Sequence, residues 1–309
     1  MVDLKTLPKY VLAPLAGYTD AGFRRLAKKY GCELTVTEMV SAKALTLKNP
    51  NTSALLFFDE SGAKSIQFFG HDPDVFAEAV RHELVLPFDI IDVNMGCPQR
   101  KIIGNGEGCA LMENPKLATE IIKSIKKNTD KIVSVKFRKG FGNKNTAVDF
   151  AKACCDAGAD FLTVHARTSN MQFSGVADWR VIADVVKAVN IPVFANGDVK
   201  DKKSCDEVFS QTGCYGVSIG RGAIGKPYVF AEIKGQPYQF DMPNDLKEHV
   251  SVLQKVYPDR VVANEIKKHI VNYTKGKRGA KQLVVEIMQL KTTEEILLAT
   301  EKFWQLQNF

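Results

Sequence analysis

The chain contains no CxxC pair, and its seven cysteines are an odd number. Both facts argue against a disulfide framework and a structural zinc site, so no metal is expected and the thiols are read as reduced. No apolar run approaches the roughly 20 residues of a membrane span. The opening residues, MVDLKTLPKY, hold no apolar signal-peptide core. A cytoplasmic location with no membrane partner is therefore expected. No GxGxxG opens the first strand–helix unit, which disfavours a Rossmann dinucleotide fold. Low-complexity tracts are absent, as is any fixed-period repeat beyond an alternation of strand and helix.

What is present is ordinary in bulk: 309 residues, 45% hydrophobic and 25% charged, enough to bury a large core without staples. A formal charge of +7 favours a polyanionic partner. Eight short runs rich in β-branched residues start at Tyr10, Leu34, Lys64, Phe88, Lys131, Asp160, Ile191 and Tyr215. Helix-like segments such as AGFRRLAKKYG and NPKLATEIIKSIKK separate them. Eight such units predict a closed parallel (β/α)8 TIM barrel, with a doubly wound open sheet as the rival. Near Pro237 to Pro243 the alternation stops. Helices are expected over 245–256, 261–273, 281–290 and 292–306, with helix spacing clearest at Val262, Ile266, Ile270 and Tyr273. The predicted division is a barrel over 1–242 and a small all-helical C-terminal domain over 243–309.

In a parallel barrel, functional groups collect where strands end. Those ends carry Pro14-Leu15-Ala16-Gly17, Glu38, Gln67, Asn94 to Cys97, Lys136 with Arg138, His165 with Arg167, Asn196-Gly197-Asp198 and Gly220-Arg221-Gly222. The last two loops follow strands seven and eight, where backbone N–H groups and an arginine fork suit a phosphate. Lys136 interrupts the apolar run VSVKF and must pair with something anionic. A reduced flavin fits, and Gln67 could bond the edge of its ring. Cys97 lies between Gly96 and Pro98 in an exit turn, which is no place for a core thiol.

The ordered series APLAGYTD, QFFG, DVNMGCP with KIIGNGEGCALM, VSVKFRKG, VHART with FSGVADW, ANGDV and IGRGAIGKPYVF resembles the motifs of the tRNA-dihydrouridine synthases. These flavin-dependent enzymes reduce a uridine in the D-loop of tRNA. The match runs from Val11 to Phe230 and continues more weakly through EIKKHIVNYTKGKRGA. The resemblance implies FMN contacts at Pro14, Leu15, Ala16, Gln67, Lys136, His165, Asn196, Gly197, Asp198, Gly220 and Arg221. It also implies a catalytic Cys97 and a uracil contact at Asn94. Leu15 stands where the family usually has methionine, a near-isosteric change. The arginine expected after KGKRGA is missing from KQLVVEIMQL.

Reducing the uracil C5–C6 bond takes a hydride at C6, which reduced FMN can give, and a proton at C5. An ordinary thiol, with a pKa of roughly 8.5, is protonated at neutral pH yet can release that proton to a forming enolate. Gly104, Gly106 and Gly108 would let the Cys97 segment act as a lid. The target base must leave its stack to reach the barrel. Phosphate contacts are expected from Arg100, Lys101, Lys139 and a basic tail of Lys267, Lys268, Lys275, Lys277, Arg278 and Lys281, with Arg138 and Arg167 as further substrate contacts, on a monomer. NADPH is the expected electron donor, with NADH open because no dinucleotide fingerprint exists. Two other readings are an FMN reductase of a free pyrimidine and a non-catalytic RNA-binding barrel. The basic tail argues against the first, and Cys97 with Lys136 against the second.

Overall fold

In a closed parallel barrel each strand turns alternate side chains toward the axis and toward the surrounding helices. The computed structural model describes residues 3–307. Its eight parallel strands close in chain order: β1 (Tyr10–Leu12), β2 (Leu34–Ser41), β3 (Lys64–Phe69), β4 (Ile90–Met95), β5 (Ile132–Gly140), β6 (Phe161–Thr168), β7 (Val193–Asn196) and β8 (Gly216–Ile219). Pairing of Tyr10 with Val217 and Leu12 with Ile219 seals the ring. The barrel expected from the eight apolar runs is thus the one found.

β4 illustrates the parity. Ile91, Val93 and Met95 join the main core beneath the helices, together with Ile121, Ile122 and Phe137. Ile90 belongs instead to an axial cluster with Val11, Leu34, Val36, Phe161 and Phe194, which plugs the N-terminal end. Further along the axis the inward positions turn polar. Ser65, Asp92, Ser134, Thr163 and Ser218 are all buried. The next inward layer holds Gln67, Asn94, Lys136, His165 and Asn196, with Asn94 in register with Lys136 and His165 with Asn196. The fold therefore grades from apolar floor to polar mouth within each strand.

After β8 come the helices Met242–Leu253, Asp259–Tyr273, Ala280–Gln289 and Thr293–Gln305. The first starts at Met242, ahead of the expected Asp245, because Asp241 caps the Asn244 amide and Pro243 fits the first turn. These helices bury a core of their own, built on Leu246, Val250, Val262, Ile266, Ile270, Leu283, Ile296 and Phe303. Among the described residues, no helix is long and apolar enough to cross a membrane.

The helical unit grips the start of the barrel. A Cβ on Gly22 would lie 2.0 Å from His249 Cδ2, so only glycine lets helix Ala21–Lys29 meet helix Met242–Leu253 this closely. Lys29 pairs with Asp245 at 2.7 Å and Glu248 at 2.9 Å. At the centre, Asp20 caps helix Ala21–Lys29 and receives His249 Nε2 at 2.7 Å and His269 Nε2 at 3.1 Å. An ionised carboxylate only accepts, so both imidazoles donate through Nε2. Burial alone would raise the Asp20 pKa, but the two histidines outweigh it and hold the carboxyl well below its usual range.

His269 stacks on Phe23 at 5.3 Å and is pushed down to about 4, by burial and then by His249. It stays neutral when folded but titrates near 6.5 when unfolded. Between those values the unfolded chain binds the extra proton, so stability is lost as pH falls. The melting temperature should drop between pH 7 and 4.5, with up to about 3 kcal/mol attributable to His269. His269→Gln, which keeps a donor toward Asp20, should show a shallower pH slope. Thermal melts of both proteins across that range check the expectation, and equal slopes would refute it.

Candidate active site

The strand ends surround a cavity of about 710 Å³ at the C-terminal mouth. All eleven positions assigned above to a cofactor line it, as do Asn94, Cys97 and Arg138. Chain order scatters these residues over more than two hundred positions. Barrel closure brings them to one wall.

The turn after β4 is held from several sides. Asn94 Oδ1 accepts the amides of Gly96 at 3.1 Å and Cys97 at 2.9 Å. Asn94 Nδ2 donates to Gln67 Oε1 at 2.8 Å and approaches the Met39 sulfur at 3.6 Å. Arg138 Nε donates to the Gly96 carbonyl at 2.7 Å. The Cys97 carbonyl accepts from Cys109 N at 3.0 Å. Gly108, at φ 59, lies so near that a Cβ there would meet that carbonyl at 2.8 Å. The expected glycine lid is therefore folded in this structure, as helix Arg100–Gly104 and a 3-10 turn Gly108–Glu113. Gly104 and Gly106 face open space, whereas Gly108 is a packing glycine. Cys97 is half-buried, and burial pushes its thiol up, against the backbone at Gln99 and the charges of Arg138 and Lys136.

Lys136 has no hydrogen bond or ion pair among the described residues. Burial, with help from Arg138, lowers its ammonium to about 8, while Asp92 and Cys97 oppose the shift. Asp92 lies beneath it, pushed up to about 6 by burial. An unpartnered ammonium on a polar wall is a place for an anionic group. Across the mouth, burial and four nearby cations drive His165 well below its usual value, so it is neutral. Asn196 Nδ2 donates to the Ser218 carbonyl at 2.6 Å. Asp198 takes a left-handed φ of 60, which its carboxylate fixes through Ala177 N at 2.7 Å and Arg167 Nη2 at 2.6 Å. Arg221 Nη1 bonds the Phe173 carbonyl at 2.8 Å and is half-exposed at the rim.

Two expected substrate contacts, Lys267 and Arg167, are corrected. Lys267 is buried and donates to the Leu290 carbonyl at 2.7 Å, capping the end of helix Ala280–Gln289. It presents no charge to a partner. Arg167, 1% exposed, binds the carbonyls of Ser174 at 2.9 Å and Gly175 at 2.7 Å besides Asp198. It ties the β6 loop to the β7 loop and is absent from the cavity wall. Arg138 reaches the wall, but Nε and Nη1 are engaged with the carbonyls of Gly96, Thr168 and Gln172. Lys268 pairs with Glu265 and lies 5.8 Å from the Tyr18 ring beside the mouth. Arg100 and Lys101 are exposed on the helix after the Cys97 turn.

Among the wall residues that the sequence reading did not assign are Phe173, Tyr18 and Met39. Phe173 sits within 5.6 Å of the Arg138 guanidinium and 5.3 Å of that of Arg221. Tyr18 and Met39 complete the side near β1 and β2. The FSGVADW motif contained Phe173, but nothing in the string gave its ring a place.

A family model described as "Dihydrouridine synthase (Dus)" matches residues 11–308. This chain belongs to the dihydrouridine synthase family. Among curated relatives, a "tRNA-dihydrouridine synthase B" of Pseudomonas aeruginosa is 33% identical, covering 97% of this chain and 94% of its own. A "Probable tRNA-dihydrouridine synthase" of Rickettsia conorii is also 33% identical, over 91% and 90%. Solved structures share the fold at lower identity. An old yellow enzyme homologue from Zymomonas mobilis superposes with a TM-score of 0.53 at 14% identity, covering 77% of this chain and 91% of that one. A 2-naphthoyl-CoA reductase gives 0.60 at 12%, covering 76% and 52%.

The dihydrouridine synthase fold leaves two of seven thiols partly exposed, Cys97 and Cys155. Native alkylation followed by peptide mass spectrometry should mark these two and spare the five buried ones. The Cys97 rate should keep rising with pH above 9, because burial raises its pKa. A plateau near pH 8 would contradict the assignment of its surroundings.

Proposed function

We propose that this protein is a tRNA-dihydrouridine synthase that holds FMN in the barrel mouth and reduces a D-loop uridine, with NADPH as electron donor. Supporting this most directly, Cys97 and the unpartnered Lys136 line one cavity in a chain of this family. The polar wall fits FMN. Lys136 offers a cation to the anionic edge of a reduced flavin. Pro14, Leu15 and Ala16 offer an apolar side, and Gln67 an amide. Asn196, Gly197, Asp198, Gly220 and Arg221 supply the turns and the guanidinium for its phosphate, beside neutral His165.

When bound, reduced FMN supplies the hydride for C6 of the uracil. The chain's own residues do the rest. Cys97 carries the proton for C5, and its raised pKa keeps the sulfur protonated at neutral pH. Asn94 and Arg138 hold the turn that carries it. Arg138 and Phe173 form the rim over which an unstacked base enters. Residues 1–242 make the catalytic part, and residues 243–309 carry tRNA beside it. Arg100, Lys101 and Lys268 are the cations placed to meet its backbone.

Cys97→Ala should keep FMN but lower dihydrouridine formation by about two to four orders of magnitude, as for a lost general acid. Dihydrouridine is counted by mass spectrometry of the tRNA, and a wild-type yield would remove the role. Lys136→Met should weaken FMN binding by about tenfold to a hundredfold, the scale of a hydrogen bond to a charged group.

Affinity for tRNA should fall steeply with salt. Arg100→Ala and Lys101→Ala should each reduce the log–log slope by about one. Lys267→Ala should leave the slope alone and lower the melting temperature instead. A slope that responds to Lys267 would reverse its placement as a buried cap.

A further inference from the structure

Asp92 stands inside the barrel, 4% exposed, at the register position opposite Ser134. Its two oxygens each accept one hydrogen bond, from Gln67 Nε2 at 2.6 Å and Ser134 Oγ at 2.5 Å. Gln67 is itself 1% exposed, and its other end, Oε1, accepts from Asn94 Nδ2 at 2.8 Å. Asn94 Oδ1 then accepts the amides of Gly96 and Cys97. Three side chains on two neighbouring strands thus form one directed chain that ends on the backbone of the thiol-bearing turn.

The direction is fixed from both ends. Backbone N–H groups can only donate, so Asn94 must show them its oxygen and turn its NH2 to Gln67. Gln67 must then show its oxygen to Asn94 and its NH2 to Asp92. A carboxylate accepts, so the far end agrees. Remove that acceptor, and a buried amide NH2 loses its partner, which costs more than the bond itself contributes. The chain then has every reason to rearrange at its other end.

We propose that Asp92 is a positioning residue, which acts through Gln67 and Asn94 to hold Cys97 on the cavity wall. The proposal rests on the role assigned to Cys97 above, but its test does not. Arg138 braces the same turn from the opposite side through the Gly96 carbonyl, so loss of the Asp92 chain loosens the turn without abolishing it.

The experiment is the alkylation rate of Cys97 in the purified protein, read by peptide mass spectrometry without tRNA or NADPH. Asp92→Ala should raise that rate by about fivefold or more, the scale of one lost hydrogen bond. Asn94→Ala should do the same, and the double variant should add nothing further. Asp92→Asn, which still offers an oxygen to Gln67 and an NH2 to Ser134, should stay within about twofold of wild type. A merely structural Asp92 would not produce that non-additivity or that rescue. Additive effects, or an unchanged Cys97 rate in a folded Asp92→Ala protein, overturn the proposal. If Asp92→Ala does not fold, Gln67→Leu cuts the same chain one link later, and an unchanged rate there overturns it equally. Failure of Cys97→Ala to affect dihydrouridine formation would defeat the catalytic reading alone, leaving these rates untouched.

Discussion

A polar side chain turned toward a barrel axis must find its partners there, and the mouth of this protein is organised by that requirement. The lower axis is apolar and satisfies it trivially. The upper axis is crossed by amides, hydroxyls and a carboxylate whose bonds run between adjacent strands, from Ser134 to Asp92, Asp92 to Gln67, and Gln67 to Asn94. Parallel register sets these residues side by side, so the network is a product of strand pairing as much as of side-chain choice. Lys136 stands outside this network. It shares that layer, yet no hydrogen bond or ion pair meets its ammonium among the described residues. Its cation is left to face the cavity.

The barrel was legible because its outward and lower inward faces are apolar, which made each strand a short hydrophobic run. Cys97 and Lys136 were legible for the opposite reason, since each sits where local rules disfavour it. Lys267 and Arg167 misled because charge in a sequence suggests exposure. Both are buried against carbonyls, and Arg167 also against Asp198, 31 positions away. Asp92 read as a strand residue, and Tyr18 and Phe173 as loop residues. Their significance lies in contacts made by barrel closure and by the returning helices, which no local pattern encodes.

The helical unit also shapes the cavity. Tyr18, on its wall, meets His269 edge to face at 5.8 Å, and Lys268 lies over the same ring. Glu38, pushed up by burial, receives the Gly17 amide. The first loop is therefore held by β2 on one side and by helix Asp259–Tyr273 on the other. Helices reached late in the chain set the shape of a site begun early in it.

The Asp20 clamp carries this into biosynthesis. Its partners lie 229 and 249 residues downstream, so a ribosome makes the carboxylate long before either imidazole. Throughout that interval the Asp20 carboxylate has only its local cap on Phe23 N, in a region destined to be dry. Completion of the pocket rim must then wait for helices Met242–Leu253 and Asp259–Tyr273 to emerge, which makes these two helices the gatekeepers of a competent enzyme.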